Sequence, residues 1–253
     1  MRVFSGVGVA LVTLMDDSGA VDAAATGALA AELADRGMRG ILACGTTGEA
    51  GRLSDAERAA VIGAVRAAVP PAVPVLAGTG AADAHRAAGL TAAAVRAGAD
   101  AVLAWPPPGC EDLPGYYAAV AGAAAGRPVL AYHVPWVSAP GVPVEALAGL
   151  PVAGVKDSSG NPDRLLAEVT GYPGATYVGS SGLLALAGPV GAAGAILAVA
   201  NAEPERCIAA FAGDGTAQRD LAGVHLAVRE GGPAELKQIL AARRGSAAVS
   251  RAS

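Results

Sequence analysis

GILACGTTGEAGRLSDAERAAVIGAVRAAV, residues 40–69, carries the pattern that decides the fold. GILAC at 40–44 is a continuous apolar run, short for a helix and without alternation, as a strand buried on both faces should be. A turn rich in Gly and Thr follows. From 54 to 69, SDAERAAVIGAVRAAV spaces its apolar residues at three and four, and Ser54 and Glu57 stand at the spacing of a capping box. The unit is one buried strand followed by one amphipathic helix.

The same unit recurs on either side. Apolar runs stand at 7–13 (VGVALVT), 74–77 (PVLA), 100–104 (DAVLA), 128–132 (PVLAY), 152–156 (VAGVK), 175–178 (ATYV) and 194–199 (GAILAV). Helix-length stretches lie between most of them, such as 82–97 (ADAHRAAGLTAAAVRA), which Gly98 is expected to close as a C-terminal cap. Eight units in 253 residues predict an α/β chain folded as a (β/α)8 TIM barrel with a short C-terminal helical tail. The competing architecture, a doubly wound open sheet, would carry a GxGxxG fingerprint after an early strand, and none is present. Helical segments are expected at about 203–212, 216–230 and 233–244. The barrel is assigned to residues 1–231. A short C-terminal helix and frayed tail take 232–253, including the locally basic ARRGSAAVSRAS at 242–253, all within a single domain.

Composition narrows the function. The chain has a formal net charge of −4 and only 16% charged residues, so it offers no basic surface for nucleic acid or anionic lipid. Glycines break its apolar stretches before they reach the length of a membrane span. MRVFSGVGVALVTLMDD at the N-terminus has the apolar length of a signal peptide, but Gly6, Gly8 and the following Asp16 and Asp17 favour a buried strand. Cys44, Cys110 and Cys207 are far apart and form no CxxC pair, so a cytoplasmic location with reduced thiols is expected.

In a (β/α)8 barrel the reacting groups sit where the strands end. Those ends read Thr13, CGTTGE (44–49), GTG (78–80), AWPPPG (104–109), YHVP (132–135), KDSSG (156–160), GSSG (179–182) and AN (200–201). The ionisable stock is Lys156, Asp157, Tyr132, His133 and Glu49. These do not form a metal-ligand cluster or a pair of carboxylates suited to glycoside cleavage, so no metal is expected. Ser158, Ser159 and His133 lack the orienting carboxylate of a hydrolase set.

Lys156 is one of two lysines, with Lys237, among 18 basic residues. A strand-end lysine can simply extend its amine to solvent or pair with Asp157. Two features point instead to chemistry. The apolar residues around it would desolvate the amine and favour its neutral, nucleophilic form. Asp157, adjacent on a strand, should face the other way. An amine in that setting can form an imine with a carbonyl substrate, which a guanidinium cannot. GTTG at 45–48 is either an ordinary turn or a cradle of N–H and hydroxyl donors for a carboxylate. Tyr132 is either core filler or a proton relay beside Lys156. GSSG (179–182) and GAAG (191–194) are either tight turns or a phosphate cradle.

GTTGE at 45–49, GTG at 78–80, YHVP at 132–135 and GVKDSSGN at 154–161 resemble, in order and spacing, the dihydrodipicolinate synthase/N-acetylneuraminate lyase family, from about Phe4 to Asn201. The resemblance implies a (β/α)8 lyase of carbon–carbon or carbon–oxygen bonds that joins pyruvate or a similar 2-oxo acid to an aldehyde or imine, or runs the reverse cleavage. It implies that Lys156 forms the covalent imine without a cofactor, that Tyr132 relays protons and that Thr46 and Thr47 hold the carboxylate. The expected catalytic set is Lys156, Tyr132 and Thr46. The expected substrate-binding set is Gly45, Thr46, Thr47, His133 and Ile196. A homodimer or homotetramer is implied as well.

The departures from the family pattern also bear on function. Pro108 stands where a second tyrosine would cross to a neighbouring subunit, and Val137 where an arginine would grip a second carboxylate. His133 replaces an asparagine, Leu14 replaces a proline, and most of the C-terminal helical extension is missing. Trp105, Trp136 and Val137 would suit a less polar partner substrate, while Trp105 and Trp136 are equally read as ordinary packing at the barrel rim. A dihydrodipicolinate synthase-like activity and a non-catalytic barrel that binds a 2-oxo acid are the two alternatives.

Overall fold

The computed structural model describes residues 2–244 and 249–251. Each apolar run becomes a short parallel strand: β1 Gly6–Ala10, β2 Ile41–Ala43, β3 Val75–Gly78, β4 Ala101–Ala104, β5 Val129–His133, β6 Gly154–Asp157, β7 Ala175–Val178 and β8 Gly194–Leu197. They pair in sequence order, and β1 pairs with β8, so the sheet closes on itself as a (β/α)8 barrel. The first run is longer than its strand. Residues 11–13 leave β1, and the Val12 N–H donates to the Asn201 side chain at 3.2 Å rather than to a neighbouring strand.

The outer layer begins with α1 Ala23–Asp35, α2 Asp55–Ala68, α3 Ala84–Arg96 and α4 Leu113–Ala123. It continues with α5 Val144–Leu147, α6 Pro162–Gly171, α7 Leu184–Ala187 and α8 Pro204–Phe211. Local sequence determines the helix ends. Ser54 and Glu57 make both limbs of the capping box on α2, a device that stabilises a helix start by about 1 kcal/mol. Gly98 follows α3 at φ 103°, the left-handed conformation that stops a helix and that glycine adopts without strain. The expected 216–230 helix is two elements, α9 Gly215–Asp220 and α10 Ala222–Arg244, with the chain bending at the fully buried Leu221. Within α10, Gly232 at φ 60° and ψ −148° breaks the helical geometry just before Pro233. Of the tail beyond α10, Arg251 donates to Glu49, Gly19, Arg52 and Glu57. Residues 245–248 and 252–253 lie outside the described residues.

Two apolar layers share the strands. Val9, Ile41, Val75, Val102, Val129 and Val155 face the helices, whereas Leu42, Leu76, Leu103, Leu130 and Ile196 fill the barrel interior. The bottom of the interior is closed by Phe4 against Tyr177, with ring centroids 4.8 Å apart. The Tyr177 hydroxyl accepts from the Val3 and Phe4 N–H groups and donates to the Phe4 carbonyl, which satisfies it inside an apolar core. GAAG (191–194) leads into β8 at this lower end, whereas GSSG (179–182) follows β7 at the mouth. The two glycine turns therefore stand at opposite ends of the barrel and do not form a joint phosphate cradle.

Phe4 fits because Gly8 and Gly40 have no side chain: a Cβ on Gly40 would lie 2.6 Å from the Phe4 ring. Gly40→Ala should lower stability by about 1–3 kcal/mol through overpacking, measured by urea unfolding. Combined with Phe4→Leu, it should cost less than the sum of the two single changes, because the smaller side chain relieves the clash.

Candidate active site

The mouth of the barrel opens into a cavity of about 640 Å³. Strand alternation determines who enters it. Along β6, Val155 packs in the outer layer, Lys156 points into the barrel and Asp157 points out. Tyr132 on β5 is the register partner of Lys156, so the two side chains leave neighbouring strands on the same face. The Lys156 Nζ lies 4.4 Å from the centre of the Tyr132 ring. Ser158 Oγ donates to the Tyr132 hydroxyl at 3.3 Å. Lys156 is 4% exposed and makes no ion pair among the described residues. Gly179 leaves room for this group: a Cβ there would stand 1.9 Å from Ser158 Oγ and 3.1 Å from the Lys156 Cε.

Thr46 and Thr47 line the same cavity, on the turn after β2. Neither their hydroxyls nor their amide N–H groups are hydrogen-bonded among the described residues, which leaves donors facing the cavity. The turn is held from below. Thr13 Oγ1 donates to the Gly48 carbonyl at 2.8 Å, and Arg58 donates to the carbonyls of Ala50 and Gly78 at 2.6 and 3.2 Å. Glu49, buried beneath the turn, is ion-paired with Lys237 of α10 and accepts from the Arg251 N–H at 2.7 Å. Burial pushes the Lys237 amine down, against the upward pull of Glu49. Burial pushes the thiol of Cys44, at the root of the turn, up to about 12, so it carries no nucleophilic thiolate near neutrality.

Ile196 lines the cavity, but two other expected substrate contacts are placed differently. Gly45 lies below the cavity wall, packed on Leu42. His133 follows Tyr132 on β5 and therefore faces the helix layer, where its Nδ1 accepts from the Val142 N–H at 3.1 Å. Its pKa is lowered, by burial first and by Arg164 second. Trp136 lines the cavity; Trp105 packs on the barrel interior, the alternative its reading left open, and Val137, expected to make the cavity less polar, packs there too.

Behind β6 lies a buried charge cluster. Arg164 of α6 is shared by two carboxylates, Glu168 at 2.9 Å and Asp157 at 3.7 Å. Asp157 also accepts from the N–H and hydroxyl of Ser159 at 2.8 and 3.0 Å. One guanidinium cannot offset two buried anions, and Glu168 is the one pushed up, to about 8, by burial first and by Asp157 second. Among the described residues, no cluster of His, Cys, Asp and Glu has the arrangement of a metal site.

Sequence reasoning missed the far wall of the cavity. His225, Val228, Arg229, Gly232, Pro233 and Leu236 of α10 line it, and Ser181 Oγ lies 2.8 Å from His225 Nδ1. The three-and-four spacing of His225, Val228 and Arg229 was legible as one helix face, which the break at Gly232 separates from Leu236. Nothing local said that this face covers the barrel mouth.

Fold and site together define a (β/α)8 barrel with an amine, a phenol and a pair of threonines in one cavity at the strand ends. Residues 3–222 match the model of the dihydrodipicolinate synthetase family, and the chain belongs to that family. It is 38% identical over 197 residues to a 4-hydroxy-tetrahydrodipicolinate synthase of Synechococcus sp. (strain WH7803), covering 74% of this chain and 65% of that relative's length. A protein of the same name from Acidithiobacillus ferrooxidans is 36% identical over 242 residues, 88% of this chain and 82% of the relative. The crystal structure of dihydrodipicolinate synthase from Acinetobacter baumannii with pyruvate superposes with a TM-score of 0.88 at 28% identity, covering 98% of this chain and 92% of that one.

The charge cluster makes a pH prediction. Glu168 holds its proton to about 8 in the folded chain against an ordinary 4.5. Its contribution to stability is therefore complete below the ordinary value and fades as pH rises towards the folded one. Glu168→Gln should lose less stability than the wild type across that window, measured as Tm against pH.

Proposed function

We propose that this chain is a Schiff-base aldolase or lyase that makes or breaks a carbon–carbon bond between pyruvate, or a close 2-oxo acid, and an aldehyde or imine. The observation that carries this reading is Lys156, buried at the cavity mouth beside Tyr132 with no carboxylate partner among the described residues. An amine without a carboxylate partner is available to a carbonyl substrate, whereas an ion-paired one is already occupied.

In the proposed cycle, neutral Lys156 adds to the ketone carbon of the 2-oxo acid. The phenol of Tyr132, supported by the Ser158 hydroxyl, carries the proton to the departing oxygen, which leaves as water. The free donors of Thr46 and Thr47 hold the carboxylate, which fixes the ketone within reach of the amine. The resulting iminium draws electrons from the neighbouring carbon, so loss of a proton there yields an enamine. The enamine carbon attacks the partner carbonyl or imine carbon, or is released by the reverse cleavage. Water then hydrolyses the iminium and regenerates the amine. Pyruvate bound to the Acinetobacter enzyme supports the choice of 2-oxo acid.

The relatives' own name suggests a second reading, the synthase reaction itself. Pro108, exposed on the loop after β4, and Val137, packed on the barrel interior, count against it, because neither can relay a proton or bind a carboxylate. The assembly is proposed to be a homodimer or homotetramer.

Borohydride reduction with pyruvate should attach the reduced acid to the Lys156 peptide, and Lys156→Arg should abolish the adduct. Tyr132→Phe should slow imine formation roughly 10²–10⁴-fold. An unmodified Lys156 across a panel of 2-oxo acids would overturn the imine. Adduct formation without deuterium exchange at the pyruvate methyl group would favour a binding barrel.

A further inference from the structure

The cavity is larger than its proposed first substrate. About 640 Å³ lies in the range of sites that enclose drug-sized ligands, whereas pyruvate is a three-carbon acid. The remaining volume belongs to the partner substrate, and its walls carry a definite chemistry. Ser180 and Ser181 follow β7, and His225 and Arg229 face the same space from α10, four residues apart on one side of the helix. No aspartate or glutamate lines the cavity among the described residues.

Arg229, an exposed residue, contrasts with the half-buried arginines around the barrel mouth. Arg58 is spent on two backbone carbonyls, Arg164 on Glu168 and Val142, and Arg251 on Glu57 and two carbonyls. The guanidinium of Arg229 makes no hydrogen bond or ion pair among the described residues, although it lines the cavity. Its neighbour is fixed: Ser181 Oγ holds the His225 ring through Nδ1 at 2.8 Å. Burial first, then the charge of Arg229, lowers the pKa of His225, so near neutrality this ring is a polar neighbour rather than a competing cation. Thr46 and Thr47 have donors enough for one carboxylate. A planar, permanently charged fork left unused on the same wall can take a second anion.

We propose that Arg229 binds an anionic group, carboxylate or phosphate, at the end of the partner substrate remote from its reacting carbonyl. This rests on the imine reading of Lys156 and adds to it the class of the partner, an anionic aldehyde or imine. The partner's carbonyl meets the enamine on Lys156, and its anion is gripped by α10. The preference is thus set by a helix outside the strand ends.

Two measurements test this. Succinate and inorganic phosphate, titrated calorimetrically into the wild type, Arg229→Lys and Arg229→Gln, report on the anion site without turnover. The wild type should bind at least one of them about tenfold or more tightly than Arg229→Gln, with Arg229→Lys between. Which anion responds separates carboxylate from phosphate. With pyruvate present, succinic semialdehyde is compared with butyraldehyde, and glyceraldehyde 3-phosphate with glyceraldehyde. The kcat/KM ratio of anionic to neutral partner should fall about tenfold in Arg229→Gln. No anion binding by the wild type, or equal binding by wild type and Arg229→Gln, overturns the proposal. Failure of pyruvate to attach to Lys156 overturns the imine alone, and the titration still decides Arg229.

Discussion

The mouth of this barrel depends on the alternation of side chains along β6. Because successive residues on a strand face opposite ways, Lys156 enters the cavity while Asp157 turns out to Arg164. A shift of one residue would bury the amine among the helices and put a carboxylate in the cavity. The barrel prevents that shift, since β6 is paired on both sides, to β5 and β7, in a closed sheet without edges. The charge cluster behind the strand does related work, holding Asp157 on its own side of the sheet.

The two lysines illustrate what surroundings do to one functional group. Lys237 is buried against Glu49, and the pair ties α10 to the turn that presents Thr46 and Thr47. Breaking a buried ion pair by removing one partner is costly, so this lysine serves as a fastener. Lys156 is as deeply buried but faces a phenol ring, hydroxyls and aliphatic carbon. The same amine is structural where a carboxylate meets it and available for chemistry where none does.

Much of this was legible before any coordinates. Eight continuous apolar runs could only be strands covered on both faces, and their regular spacing with amphipathic helices left the barrel as the simplest closure. Lys156, Tyr132, Thr46, Thr47 and Ile196 were all found in the cavity because strand ends in this fold converge. His133 lies outside the cavity because the strand beneath the YHVP motif sends adjacent side chains to opposite faces. Val137 packs on the barrel interior for a different reason: loops after a strand can fold back on the barrel, and their direction is not written in local pattern.

By itself the sequence determined the eightfold repeat of strand and helix, the helix ends and the identity of the amine, because each depends on residues close together in the chain. Tertiary structure alone decided that α10 closes the cavity and brings Arg229 and His225 opposite Lys156. That juxtaposition joins residues some seventy positions apart. It arises from how α10, the last helix, packs back over the barrel mouth, anchored by Lys237 on Glu49, and no local propensity encodes such a return.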